Sequence, residues 1–223
     1  MKSMRYKEIY KRMKILVTGF EPFNGAKINP SQLILEQLQA PAGVQLIKEV
    51  LPVEFAGSTK RLQELFAEHR PDVVVSLGQA GNRPEISVER VAINLNNVRS
   101  SNGKTELADN AGEKPVDKII ADDGAPAYFT TLPDWEMIMA IQEAGVAGAA
   151  SYTAGTYVCN HVMYTALYEA KRSYPNMKAG FIHVPFLPEQ LAERKDNRQV
   201  YAMELKDMVK GVQAALGVLI VER

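Results

Sequence analysis

The chain has 223 residues, 46% of them hydrophobic and 23% charged, a balance that suits one globular domain with a sizeable core. Twenty-six Lys and Arg offset 26 Asp and Glu, so there is no basic field for nucleic acid and no acidic surface for cations. No apolar run reaches the roughly 20 residues of a membrane helix, and one cysteine cannot make an intrachain disulfide, so the expected compartment is the cytoplasm.

Residues 1–12 are basic without the apolar stretch of a secretory signal, and are expected to be an extension ahead of a single domain over 13–223. Lys14–Thr18 reads as a first strand, Gly19–Asn29 as a loop, Pro30–Leu38 as a helix and Gln45–Val53 as a second strand. Phe55–His69 sets Leu62, Leu65 and Phe66 at helical spacing, and Pro71 bars continuation. Asp72–Leu77 is an apolar run suited to a strand covered on both faces, and Glu85–Asn94 reads as the next strand. Leu95–Tyr128 is rich in Asn, Gly, Asp and Lys and predicts a long surface excursion: a lid, a partner-contacting arm or a partly disordered segment. Pro133–Ala144 resumes as a helix, followed by a strand at Ala149–Thr153, a helix at Cys159–Arg172, a strand at Lys178–Pro185 and a last helix within Arg198–Leu219. Strands alternating with amphipathic helices predict an α/β domain on a largely parallel sheet.

The segment Ser151–Tyr164 runs from a strand through an Ala154-Gly155 turn into a helix that begins near Cys159. A thiol at a helix N-terminus sits beside unsatisfied N–H groups and the positive dipole end, which favour thiolate and can hold an oxyanion. The alternative is a small buried hydrophobe, as most free cysteines are. Of three histidines, His161 is two residues from Cys159 and points to another helix face. His69 closes a charged helix end, where a solvated histidine is expected. His183, in an apolar strand that ends at a proline loop, is either a satisfied core residue or a base delivered to the carboxyl edge of the sheet.

Glu89 and Arg90 lie in the middle of the apolar segment Ile86–Asn94. Burying unpartnered charge costs several kcal/mol, and adjacent strand residues face opposite sides, so each needs a partner elsewhere. Glu89 suits His183 as an orienting carboxylate, and Arg90 suits a reacting oxygen. Phe20 and Phe23, on the loop after the first strand, either wall a pocket for a flat neutral group or pin that loop to the core. Gly78-Gln79-Ala80-Gly81 fits neither common nucleotide-binding glycine pattern, and the histidines have no metal-ligand spacing.

Five segments in order, KILVTGFEPFNGAKINPS (14–31), LGQAGNR (77–83), ISVERVAIN (86–94), SYTAGTYVCNH (151–161) and GFIHVPFLPEQ (180–190), resemble the pyroglutamyl peptidase I, or pyrrolidone-carboxylate peptidase, family of cysteine peptidases. The resemblance implies an α/β/α sandwich around a twisted mixed sheet, a homotetramer, no cofactor, and peptide substrates with an N-terminal pyroglutamyl residue. It implies a catalytic triad of Cys159, His183 and Glu89, and places Arg90 near the reacting carbonyl. It also implies a pyroglutamyl pocket made by Phe20, Phe23 and main-chain groups near Gln79. Tyr157 stands where the pattern expects phenylalanine, and the excursion around Ser100–Lys118 is longer than the pattern. Two other readings are a Cys-dependent amidase or esterase for another small acyl group, and a non-catalytic α/β protein that binds a small ligand. No nucleic-acid, membrane or metal partner is expected.

Overall fold

Apolar strand-forming runs build the centre of the molecule, whose computed structural model describes residues 12–99, 103, 106–192 and 199–220. The expected N-terminal extension lies outside these residues except for its last one. In chain order the elements are β1 (Met13–Phe20), α1 (Pro30–Gln37), β2 (Val44–Leu51), α2 (Phe55–His69), β3 (Val73–Gln79), β4 (Ile86–Glu89) and β5 (Val91–Ile93). There follow β6 (Ala127–Phe129), α3 (Asp134–Glu143), β7 (Gly148–Ser151), α4 (Val158–Arg172), β8 (Lys178–Val184), α5 (Pro188–Ala192) and α6 (Leu205–Val218).

Six strands form one sheet in the order β2-β1-β3-β8-β4-β7. The first four are mutually parallel, β4 and β7 are parallel to each other, and β4 runs antiparallel to β8. The sheet is therefore mixed, as the resemblance implies. Because side chains alternate along a strand, Ile15, Val17, Val73, Val75, Ile182 and Val184 enter a core shared with α3 and α6. Leu16, Val74, Ala179 and Phe181 enter a second core shared with α2 and α4. Helices on both faces make the α/β/α sandwich.

Local chemistry sets the helix ends. Pro30 opens α1 behind Asn29, whose side chain accepts from Ser31 N, while Ser31 Oγ accepts from Phe20 N at 2.9 Å and ties the first loop to that helix. Arg70 ends α2 in the left-handed conformation just before Pro71.

Two elements differ from expectation. The strand expected over Glu85–Asn94 is two strands in two sheets: at Arg90 the chain leaves the six-stranded sheet, and β5 pairs with β6 in a separate ribbon. The short helix α5 follows a proline loop and carries no long apolar pattern. The Leu95–Tyr128 excursion has little regular structure among its described residues and is held by side chains. Asn94 Oδ1 accepts from Ile120 N and Ala121 N, Asp109 accepts from Phe55 N and Glu113 N, and Asn110 Nδ2 donates to Pro22 O. Among the described residues no helix is long and apolar enough to cross a membrane.

Candidate active site

The chain leaves β7 at Ser151 and turns through Gly155, whose φ of 80° favours glycine, into α4. Tyr157 is the N-cap and makes no side-chain cap bond; the first amide to bond back within the helix is His161 N, to Tyr157 O at 3.1 Å. The amides of Val158, Cys159 and Asn160 have no intrahelical acceptor. The half-buried thiol of Cys159 sits over the central strands, since a Cβ added at Gly78 would lie 3.0 Å from Sγ. Gly78 is the register partner of His183 across β3 and β8. A side chain at Gly78 would push into the Phe181 ring and the Cys159 thiol.

His183 and Phe181 share the face of β8 that looks towards α4, and Glu89 shares that face from β4, opposite Phe181 in register. His183 Nδ1 donates to Glu89 Oε1 at 2.7 Å, with His183 4% exposed and Glu89 fully buried. The same oxygen accepts from Arg83 Nη1 at 2.5 Å, and Arg83 Nη2 donates to Thr153 O at 2.8 Å. Glu89 Oε2 is buried with no hydrogen-bond partner among the described residues; the Ser151 hydroxyl donates to Thr153 O at 3.3 Å.

These surroundings decide which groups carry charge. Burial pushes the Glu89 carboxyl up, but the hydrogen bond and charge of His183, with smaller help from Ser151 and Arg83, leave it below its ordinary value. Burial and the charge of Glu89 push the Cys159 thiol up to about 12, against the opposing influence of Arg83 and its own backbone N–H. The helix terminus alone therefore does not ionise Cys159 near neutrality, and a thiolate needs a proton acceptor such as His183 beside it.

Phe20, Phe23, Gln79, Tyr157, Cys159 and His183 all line one cavity of about 800 Å³. Phe20 is 2% exposed and packs against Phe181, ring centroids 6.3 Å apart, whereas Phe23 is half-buried 6.2 Å from Tyr157. Gln79 Oε1 accepts from Nε2 of Gln190, which lines the same cavity, at 2.9 Å. Among the described residues no group of three or more His, Cys, Asp or Glu side chains is arranged to hold a metal ion.

The family profile described as pyroglutamyl peptidase matches residues 13–222. The chain belongs to that family. It is 44% identical over 209 residues to a pyrrolidone-carboxylate peptidase of Streptococcus suis, and 46% identical over 209 residues to one of Lacticaseibacillus paracasei, covering 93% of each chain in both cases. Among solved structures it is similar to pyroglutamyl peptidase I from Bacillus amyloliquefaciens, with a TM-score of 0.87 and 36% identity over 95% of this chain and 97% of the other. It is also similar to a mutant pyrrolidone carboxyl peptidase from the hyperthermophile Pyrococcus furiosus, with a TM-score of 0.86 and 36% identity over 94% and 99%.

Within this pyroglutamyl peptidase fold, Arg90 does not line the cavity. Glu89 faces α4, so its neighbour faces the other side of the sheet. There Arg90 Nε meets Asp134 Oδ2 at 2.5 Å, and the guanidinium lies 5.2 Å from the Trp135 ring and 5.3 Å from the Tyr152 ring. The expectation that Arg90 sits near the reacting carbonyl is corrected on that ground. Among the described residues the arginine that lines the cavity is Arg83, for which the sequence carried no separate signal. The available signal was the buried charge of Glu89, which calls for a cation from some element other than its own strand.

Neither remaining histidine reaches the thiol. His69 ends α2 beside Glu68 at 3.5 Å. His161 is buried behind α4, with Nε2 2.5 Å from Thr59 Oγ1 and Nδ1 3.0 Å from Asn96 Nδ2. Asn160 is a further residue without a role in the sequence reading: it accepts from Ile93 N and donates to Ile93 O and Leu95 O, bracing α4 against β5.

Proposed function

We propose that this chain is a cysteine peptidase that removes an N-terminal pyroglutamyl residue from peptides, with Cys159 as nucleophile, His183 as base and Glu89 as the orienting carboxylate. The observation that carries the reading is the His183–Glu89 pair and the Cys159 helix terminus meeting at one cavity walled by Phe20, Phe23 and Tyr157.

The group to be recognised is a flat, uncharged five-membered lactam with no free amine. Phe20, Phe23 and Tyr157 supply apolar surface for its faces, and main-chain groups near Gln79 supply partners for its C=O and N–H. Such bonds discriminate against proline, which has the ring without the carbonyl, by ~10⁴ or more. A cavity of about 800 Å³ is larger than a lactam and leaves room for the peptide beyond the scissile bond, which favours a peptide over a simple small-acyl ester.

His183 Nε2 takes the proton of the Cys159 thiol, and the thiolate attacks the pyroglutamyl carbonyl carbon. The oxyanion forms against the free amides at the start of α4. Glu89 holds Nδ1–H and supports the imidazolium. The C–N bond breaks as His183 returns its proton to the leaving amine, which departs as the shortened peptide and leaves a thioester on Cys159. Water gives a proton to His183 and attacks the thioester carbonyl; the C–S bond breaks and pyroglutamate is released.

The test is hydrolysis of a pyroglutamyl anilide beside prolyl and acetyl anilides, by the wild type, by the iodoacetamide-treated protein and by Cys159→Ala. The expected outcome is turnover of the pyroglutamyl compound alone, abolished by alkylation and by the substitution. Preference for the acetyl compound points to the small-acyl hydrolase, and activity retained in Cys159→Ala removes the proposal. The family resemblance also supports a homotetramer in the cytoplasm; a monomeric mass by light scattering would exclude the tetramer.

A further inference from the structure

Glu89 is an uncommon carboxylate. It is fully buried, yet both of its hydrogen bonds fall on the single oxygen Oε1, from His183 Nδ1 and Arg83 Nη1. Such a charge persists in the interior only while it is partnered. The second arm of the Arg83 fork donates to Thr153 O, in the turn that leads through Gly155 to Cys159. One planar guanidinium thus joins three separate pieces of chain: the β3–β4 turn that carries it, the carboxylate on β4, and the approach to the nucleophile after β7. The fixed fork of arginine suits this, whereas the single ammonium of lysine reaches one acceptor well.

We propose that Arg83 is the positioning and charge-setting residue of this site, holding Glu89 and the Thr153 turn together and keeping a permanent positive charge beside the Cys159–His183 pair. The proposal rests on the catalytic reading given above. Among the described residues the other titratable groups lining the cavity are Lys27 from the first loop, the Tyr157 phenol, Cys159 and His183, with Glu89 behind. A cation at Arg83 favours the thiolate. Its removal also leaves Glu89 less compensated, which opposes the thiolate. Both effects raise the pH at which the thiol gives up its proton. A residue that only propped up the loop would lower the rate without moving that pH.

The experiment measures the pH dependence of iodoacetamide alkylation, which needs no substrate and has one cysteine to read, together with kcat/KM on a pyroglutamyl anilide. In Arg83→Gln the alkylation midpoint is expected to rise by about one unit, so about tenfold less thiolate remains at a fixed pH on that limb, and the thiol limb of kcat/KM shifts to higher pH. In Arg83→Lys the midpoint stays near that of the wild type while kcat falls severalfold, since one ammonium does not span both acceptors. An unmoved midpoint in a folded Arg83→Gln overturns the proposal. If that variant does not fold, Arg83→Lys decides: a midpoint raised by a full unit, or an unchanged kcat, overturns it. A wild type that alkylates with the expected profile but leaves the pyroglutamyl anilide intact sinks the substrate reading and not the role of Arg83.

Discussion

Tyr157 packs edge-on to Phe55 at 5.6 Å, and its hydroxyl donates to Ala108 O at 2.9 Å, in a position where the family pattern expects phenylalanine. Leu107, next to that carbonyl, lines the cavity, so the hydroxyl ties the start of the catalytic helix to the excursion that walls the pocket. Burial, with the charges of Asp109 and Cys159, raises the phenol above its ordinary value, so it remains a donor at any pH used for assay. A neutral bond of this kind contributes roughly 1 kcal/mol net. Tyr157→Phe is therefore expected to lower Tm by about 2–4 °C and to raise KM roughly fivefold, with kcat held because the thiol, imidazole and carboxylate are untouched. Identical melting and KM would show that the hydroxyl does not shape the pocket. At this scale much of the site was legible. Cys159 stood out by its strand–glycine–helix setting, His183 by the poor placement of His69 and His161, and Glu89 as a charge inside an apolar strand, and the structure brings these three together. Arg90 and Arg83 were not separable in the same way. Both are arginines within six residues of Glu89, and only the fold decides which one turns back to it.

Elements whose apolar runs are self-contained were the easiest to read. The strands at β1, β3 and β8 and the helix Phe55–His69 are written in local periodicity and ended by Gly, Pro or a loop. The break between β4 and β5 is not local. Ile86–Glu89 and Val91–Ile93 continue one apolar pattern across Arg90, and what separates them is the pairing of β5 with β6 about forty residues later. The excursion was legible as a loop but not as an ordered one, because its order comes from side-chain-to-backbone bonds made by Asn94, Asp109, Asn110 and Asn160. Those residue types give a composition that reads as loop, and only contact with α2, β5 and α4 makes them ties. Asn160 matters most among them for the site, since it fixes the first turn of the helix that carries Cys159 against Ile93 and Leu95.

The sandwich depends on α4 packing flush against the sheet and α2, and His161 sits in that seam between Phe55, Thr59 and Asn96. Beneath this layer the antiparallel pairing of β4 with β8 sets Glu89 opposite Phe181, within reach of His183. Desolvation lowers the His161 imidazole from 6.5 to about 4, partly offset by a backbone interaction at Phe55, so the native protein holds it neutral. The unfolded chain takes up a proton as pH falls through about 6.5, whereas the folded chain does so only near 4. Stability from this group is therefore complete above about pH 6.5 and is lost progressively between there and about pH 4, by an amount on the order of 3 kcal/mol. In urea unfolding, the wild type is expected to lose stability steeply between pH 6.5 and 4.5. His161→Gln retains partners for Thr59 and Asn96 without a titratable ring. It should be less stable than the wild type at pH 7.5, because the ring no longer fills the seam against Phe55, and the gap should narrow as pH falls. Parallel pH dependences for the two proteins would show that the acid sensitivity of the molecule lies elsewhere.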